Sequence, residues 1–104
     1  MTIEVDACCP GQGSTGEPAP DDLAAGFKAL GDPVRVRLYS LIAARDEICV
    51  CELTPQFEQS APTISHHLKV LREAGLVRAQ RRGTWVYYAA VPDAVARLGA
   101  FLTA

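Results

Sequence analysis

The sequence predicts a mainly α-helical domain closed by one β-hairpin. Three observations carry this reading: apolar residues recur at helical spacing from Asp21 to Gly75, two β-type runs flank Arg82-Gly83, and a last amphipathic segment follows Pro92. In the first helix Leu23, Phe27 and Leu30 share a face, and Gly31-Asp32-Pro33 then supplies a stop, an N-cap and a first-turn proline. Val34, Leu38, Leu41 and Ile42 make the apolar side of a second helix. The stretch Ile48 to Phe57 reads as a loop entering a brief helix around Glu52 to Phe57. Ser60 caps the next helix, Pro62 is tolerated in its first turn and Gly75 ends it. Leu76 to Arg81 and Thr84 to Val91 are the hairpin strands, and the second sets Trp85, Tyr87, Ala89 and Val91 against Val86, Tyr88 and Ala90. A last helix from about Pro92 to Leu102 places Val95, Leu98 and Leu102 on one side. This face, with Leu23, Phe27 and Leu30, is expected to form the two-fold interface of a homodimer.

Composition bounds what such a domain does. A chain of 104 residues makes a single small core, for which oligomerisation is the natural supplement. The formal net charge of -2 hides a split. Residues 1–22 carry Glu4, Asp6, Glu17, Asp21 and Asp22 and no base, whereas residues 61–82 carry Lys69, Arg72, Arg78, Arg81 and Arg82 against the single acid Glu73. A phosphate backbone responds to the local charge and not to the average. Residues 10–20, rich in Pro, Gly, Ser and Thr, read as a tether, so residues 1–20 form a flexible arm and residues 21–104 the folded domain. No apolar run is long enough to span a bilayer and no secretory signal is visible, which points to the cytoplasm.

Helix, turn, helix and hairpin in this order make a winged helix-turn-helix. At about 100° per residue, Ile64, Leu68 and Leu71 face inward, which turns Ser65, His66, Lys69 and Glu73 outward with Thr63 beside them. Hydroxyls and an imidazole near a helix N-terminus suit base edges in the major groove of operator DNA. Lys69, Arg72 and the first-turn amides suit phosphates. Arg81 and Arg82 at the hairpin tip are placed to follow the backbone or an adjacent minor groove. The DNA-facing set is therefore Ser60, Thr63, Ser65, His66, Lys69, Arg72, Arg81 and Arg82, while His67 lies at the core edge as a hydrogen-bonded histidine.

The four cysteines form two close pairs, Cys8-Cys9 on the arm and Cys49-Val50-Cys51 ahead of the reading helix. Neither pair suits a disulfide framework, and reduced thiols are soft ligands for a metal or metalloid. Isolated cysteines are more often small buried hydrophobes, but two pairs on one short chain favour ligation. Cys49 and Cys51 lie on one side of an extended segment but diverge on a regular helix, so joint chelation requires a distorted backbone. The arm reaches roughly 20 Å, enough to bring Cys8 or Cys9 to them within or across subunits. An enzyme fits poorly, since no Cys-x-x-Cys motif or phosphate-cradling loop is present.

Four segments together resemble the ArsR/SmtB-type bacterial metalloregulators: Phe27 to Arg35, Ile48 to Leu53, Pro62 to Val77 and Gly83 to Tyr88. The resemblance implies a homodimeric repressor that leaves its operator on binding a metal or metalloid. The Cys-Val-Cys element is similar to the inducer site of arsenic- and antimony-responsive members, and of cadmium- and lead-responsive ones. It implies As(III) or Sb(III) as inducer through Cys8, Cys9, Cys49 and Cys51, with Cd(II), Pb(II) or Zn(II) as the alternative and thiol oxidation as a third reading. Two positions depart from the pattern. Thr54 stands where a third cysteine often follows, and Ala61 stands where glutamine is frequent. The last helix lacks the His and carboxylate cluster of zinc- and nickel-sensing types.

Overall fold

The computed structural model describes residues 20–103. Helix α1 spans Pro20–Ala29 and α2 Pro33–Ala43; a two-residue strand β1, Ile48–Cys49, leads into the one-turn helix α3, Val50–Leu53, and a 3-10 turn, Thr54–Gln56. Helix α4 (Ala61–Glu73), strands β2 (Val77–Arg82) and β3 (Trp85–Ala90) and helix α5 (Pro92–Thr103) complete the described residues. The sheet is antiparallel in the order β1-β3-β2. Cys8 and Cys9 lie outside the described residues. Among the described residues no helix is long and apolar enough to cross a membrane.

Local chemistry sets the helix ends. Asp32 adopts extended backbone and its carboxylate accepts from the N–H groups of Val34 (2.8 Å) and Arg35 (3.4 Å), with Pro33 supplying the preset first helical turn. Partial burial works against this carboxylate, yet the two N–H donors and the Arg35 charge outweigh it and hold its pKa below the usual range. Ser60 caps α4 in the same way through the N–H of Thr63. At the far end Leu76 N–H reaches Leu71 O (3.1 Å) and Gly75 N–H reaches Arg72 O (2.9 Å), a Schellman closure that needs the left-handed φ of 80° at Gly75.

The core gathers Leu38 and Ile42 from α2, Ile48 from β1, Leu53 from α3, Ile64, Leu68 and Leu71 from α4, and Leu76, all essentially inaccessible to water. Burying each such side chain is worth about 1.5–3 kcal/mol before entropy is counted. Tyr88, central in β3, closes the sheet side of the same cluster.

Several expectations need correction. The segment around Cys49 is not a loop before a helix at Glu52: β1 pairs Ile48 with Tyr88 and Cys49 with Tyr87, and the helix starts at Val50. Two residues of strand carry no readable period, which hid it. The hairpin turns at Gly83-Thr84, with Arg82 opposite Trp85 as the last strand pair. Leu98, expected at the two-fold interface, is already buried within its own chain. It packs against α1, where a Cβ on Gly26 would stand 2.9 Å from its Cδ2, so a larger residue there would require the Leu98 side chain to shift. Phe101 and Leu102 on the last turn of α5 are the exposed apolar pair, 58% and 70% accessible, and Phe101 packs against Phe27 with ring centres 5.9 Å apart.

Leu71→Ala should lower stability by about 2–5 kcal/mol, because it empties a fully enclosed site. Lys69→Ala, one face away on the same helix, should change it by less than about 0.5 kcal/mol. Urea denaturation of the two variants beside the parent measures both; equal losses would mean that α4 does not present these faces.

Candidate nucleic-acid interface and thiol pair

Helices α3 and α4 form the helix-turn-helix, and α4 is the helix whose outer face is free. Ser65, His66, Lys69 and Arg72 are all exposed, while Ile64, Leu68 and Leu71 anchor the opposite face. At the N-terminus Ser60 and Thr63 are also exposed, with Ser60 Oγ donating to Thr63 Oγ1 at 3.0 Å, so the two hydroxyls form a linked pair beside the first-turn amides. Arg37 lies over the Phe57 ring at 4.7 Å and pins the segment that leads into this cap. The helix therefore meets solvent with small polar groups at its start and cations further along.

His67 is half-buried, as its position at the core edge suggested. Arg35 Nη1 lies 3.1 Å from His67 Nδ1; arginine has no acceptor, so Nδ1 must accept and a ring proton belongs on Nε2. The same guanidinium donates through Nε to Ala29 O at 2.7 Å, and more weakly to Lys28 O. Arg35 thus ties the end of α1 to α4. Sequence reasoning did not single it out, and its only local sign is a cation three residues after the Asp32 cap.

The hairpin carries Arg81 and Arg82, both exposed, but they are not equivalent. Arg82 donates from Nη1 to Glu47 Oε2 at 2.8 Å and from Nη2 to Glu47 Oε1 at 2.7 Å, with Gln80 Oε1 a further 3.0 Å contact. The hydrogen bonds from Arg82 keep the Glu47 carboxyl below its ordinary pKa against partial burial, helped by the charges of Arg82 and Arg78. Glu47 was not foreseen; the pair is 35 residues apart and no local pattern announces it.

The thiol pair sits where β1 becomes α3. Cys49 is buried and Cys51 exposed, both reduced. Cys49 is in extended conformation (φ -75°, ψ 143°) and Cys51 in the first helical turn, so the break in periodicity that joint chelation needs lies between them. Their sulfurs are 2.7 Å apart, with the Cys51 thiol donating to Cys49 Sγ. Cys49 Sγ also accepts from Cys51 N–H (3.3 Å), while Glu52 Oε1 accepts from Cys49 N–H (3.3 Å), making a capping box in which sulfur replaces the usual oxygen. The spacing Cys49-x-x-Glu52 could have shown it. The hydrogen bond to Cys49, then partial burial and the charges of Cys49 and Glu52, push the Cys51 pKa up. Its proton must leave before the sulfur can ligate. Thr54, at the place of the missing third cysteine, turns its hydroxyl to Val50 O at 3.1 Å. Among the described residues no three His, Cys, Asp or Glu side chains converge in a metal-sized group, so two thiols are what this part of the chain offers.

A short helix pair presenting one polar helix beside a hairpin defines a winged helix-turn-helix regulator. The sequence model of the bacterial regulatory protein arsR family matches residues 32–79. An uncharacterised helix-turn-helix transcriptional regulator of Methanocaldococcus jannaschii is 45% identical over 69 residues, 66% of this chain and 78% of that protein. An arsenic resistance transcriptional regulator of Pseudomonas putida is 52% identical over 67 residues, 64% of this chain and 52% of its own length. A cadmium resistance regulatory protein homologue of Staphylococcus aureus is 37% identical over 79 residues, covering 76% of this chain and 65% of that one. The chain thus spans less than two thirds of the two resistance regulators. Among solved structures, the homodimeric winged helix-turn-helix DNA-binding domain of a possible ArsR-family regulator from Mycobacterium bovis superposes with a TM-score of 0.68 at 28% identity, over 99% of this chain and 84% of that one. The chain belongs to the ArsR family of bacterial regulatory proteins, which are transcriptional regulators and not enzymes.

Proposed function

We propose that this regulator is a homodimeric repressor that leaves operator DNA when As(III) or Sb(III) binds its cysteine thiolates. The observation that carries the reading is the pair of reduced sulfurs, Cys49 and Cys51, 2.7 Å apart at the entrance to the helix-turn-helix. Trivalent arsenic takes three sulfurs in a pyramid. Two come from this pair and a third from Cys8 or Cys9 on the arm, which suits an incomplete site better than a closed tetrahedron does. The resistance to arsenic named for the Pseudomonas putida relative supports the same inducer. The cadmium relative favours a second reading, in which Cd(II), Pb(II) or Zn(II) gathers all four thiolates.

On DNA, Ser60, Thr63, Ser65 and His66 enter the major groove, and Lys69, Arg72 and Arg81 meet phosphates. The dimer forms through α1 and α5, with Phe101 and Leu102 covered by a second copy. A homodimeric relative of the same fold and the size of this exposed pair support that arrangement.

The two inducer readings differ in their protons. Starting from three thiols, of which Cys51 is held neutral by Cys49, the three hydroxyls of arsenite leave as water with the thiol protons and no net proton is released, whereas a divalent cation must expel one proton per thiol. Arsenite binding to the reduced dimer should therefore change little between pH 6.5 and 8, while cadmium affinity should rise by about tenfold per pH unit for each thiol displaced. Cys49→Ser or Cys51→Ser should abolish release by the ion and leave operator binding intact, and substitution of Cys8 or Cys9 should weaken release. Steep pH dependence with cadmium, joined to no release of DNA by arsenite, would promote the divalent reading.

His66→Ala should cut the preference for operator over random DNA, while Arg81→Ala should weaken both alike and flatten the salt dependence by about one phosphate contact. Fluorescence anisotropy across a salt series separates them; a common response in the two variants would remove the groove assignment. For assembly, Phe101→Asp with Leu102→Asp should give a folded monomer in sedimentation, since both side chains are already outside the chain's own core. A wild-type monomer at micromolar concentration would end the dimer proposal.

A further inference from the structure

Glu47, two residues ahead of Cys49, holds the guanidinium of Arg82 at the end of the hairpin strand. The contact is two parallel hydrogen bonds of 2.7 and 2.8 Å, and the Arg82 guanidinium carbon also lies 4.6 Å from the centre of the Tyr87 ring. Exposed ion pairs are usually worth little, but a bidentate arginine that is also stacked loses less freedom and holds one geometry. Tyr87 is at the same time the strand partner of Cys49. The thiol-bearing strand and the end of β2 are therefore joined twice, once through the Glu47 carboxylate and once across the Tyr87 ring.

We propose that the Glu47–Arg82 tie carries the state of the Cys49–Cys51 pair to the hairpin, and that Arg82 is a positioning residue for the hairpin tip instead of a phosphate contact. This rests on the reading above that the two thiols bind an ion. In the ion-free geometry they are 2.7 Å apart and joined by the Cys51 proton. Ligation therefore removes that proton and replaces the thiol contact by two bonds to one ion, which redirects both sulfurs. Cys49 is buried and caps α3 through its sulfur, so a change at that sulfur reaches the end of β1 and the start of α3. From β1 the change reaches Glu47, the residue immediately before the strand, which holds Arg82. A ligand shifts an equilibrium only by what it binds differently in the two states. Here the difference is the tie, made in the ion-free state and slackened in the bound one.

Operator affinity is measured over a salt series for the wild type, Arg81→Ala, Arg82→Ala and Glu47→Gln, with and without the ion that releases the wild-type protein, and circular dichroism checks that each variant is folded. The proposal expects Arg82→Ala to weaken binding several-fold at unchanged salt slope, whereas Arg81→Ala lowers the slope by about 0.9. It expects Glu47→Gln to reduce the ion-induced release at least about threefold, an effect that the reversed pair Glu47→Arg with Arg82→Glu restores in part, as a coupling through this contact requires. A slope lowered by about 0.9 in Arg82→Ala would make Arg82 a phosphate contact and overturn its positioning role. Undiminished release in Glu47→Gln would overturn the coupling. Should neither arsenite, antimonite, cadmium, lead nor zinc release the wild-type protein, the ion-binding reading falls and the coupling with it, while the salt slopes still decide what Arg82 does.

Discussion

The outer face of α4 is set by contacts on its inner one. Ile64, Leu68 and Leu71 lie on one side of the helix at fully enclosed positions, and their burial fixes both the rotation of the helix and the direction in which Ser65, His66 and Lys69 point. The Ser60 cap and the Gly75 closure then fix where the helix begins and ends. A helix of this length has little stability alone, so its geometry is borrowed from α2, β1 and α3, which fill the other half of the core. Anything that shifts those elements shifts the polar face with them.

This dependence gives the location of the thiols its meaning. Cys49 belongs to three local structures at once: it is the last residue of β1, the cap of α3 and the acceptor of the Cys51 thiol proton. Chemistry at its sulfur therefore competes directly with backbone hydrogen bonding. A pair of cysteines on an outlying loop could bind a soft ion equally well and tell the rest of the domain nothing. Placed here, an ion that needs both sulfurs must draw on interactions that also hold the helix-turn-helix in place.

Much of the frame was legible in the sequence because it is written in local chemistry. Asp32-Pro33 and Ser60 with Pro62 mark helix starts, Gly75 marks an end, and the period of Ile64, Leu68 and Leu71 separates inside from outside on α4. What was not legible depends on distance or on unusual atoms. Strand β1 is too short for alternation to show, and only its pairing with Tyr87 and Tyr88 makes it a strand. Cys49 was weighed as a ligand or a small hydrophobe, and sulfur is not the atom expected in a helix cap. The hold of Glu47 on Arg82 and of Arg35 on His67 joins residues more than thirty positions apart, where single-sequence pattern is silent. The packing of Leu98 beside Gly26 was not legible either, because glycine contributes no side chain to a reading of apolar periodicity.

The brevity of β1 has a further consequence. Its two residues pair with the middle of β3 and leave Trp85 and Val86 at one end and Ala89 and Ala90 at the other without a strand partner on that side. An uncovered sheet margin is a template on which another chain can add a strand, and proteins usually blunt it with charge, brevity or a covering segment. The opposite margin, β2, is guarded by Arg78, Arg81 and Arg82. On the β3 side the cover is the cysteine-bearing segment itself. Whatever draws that segment away uncovers the pairing edge of β3, so exposure of that edge is governed by Ile48 and Cys49.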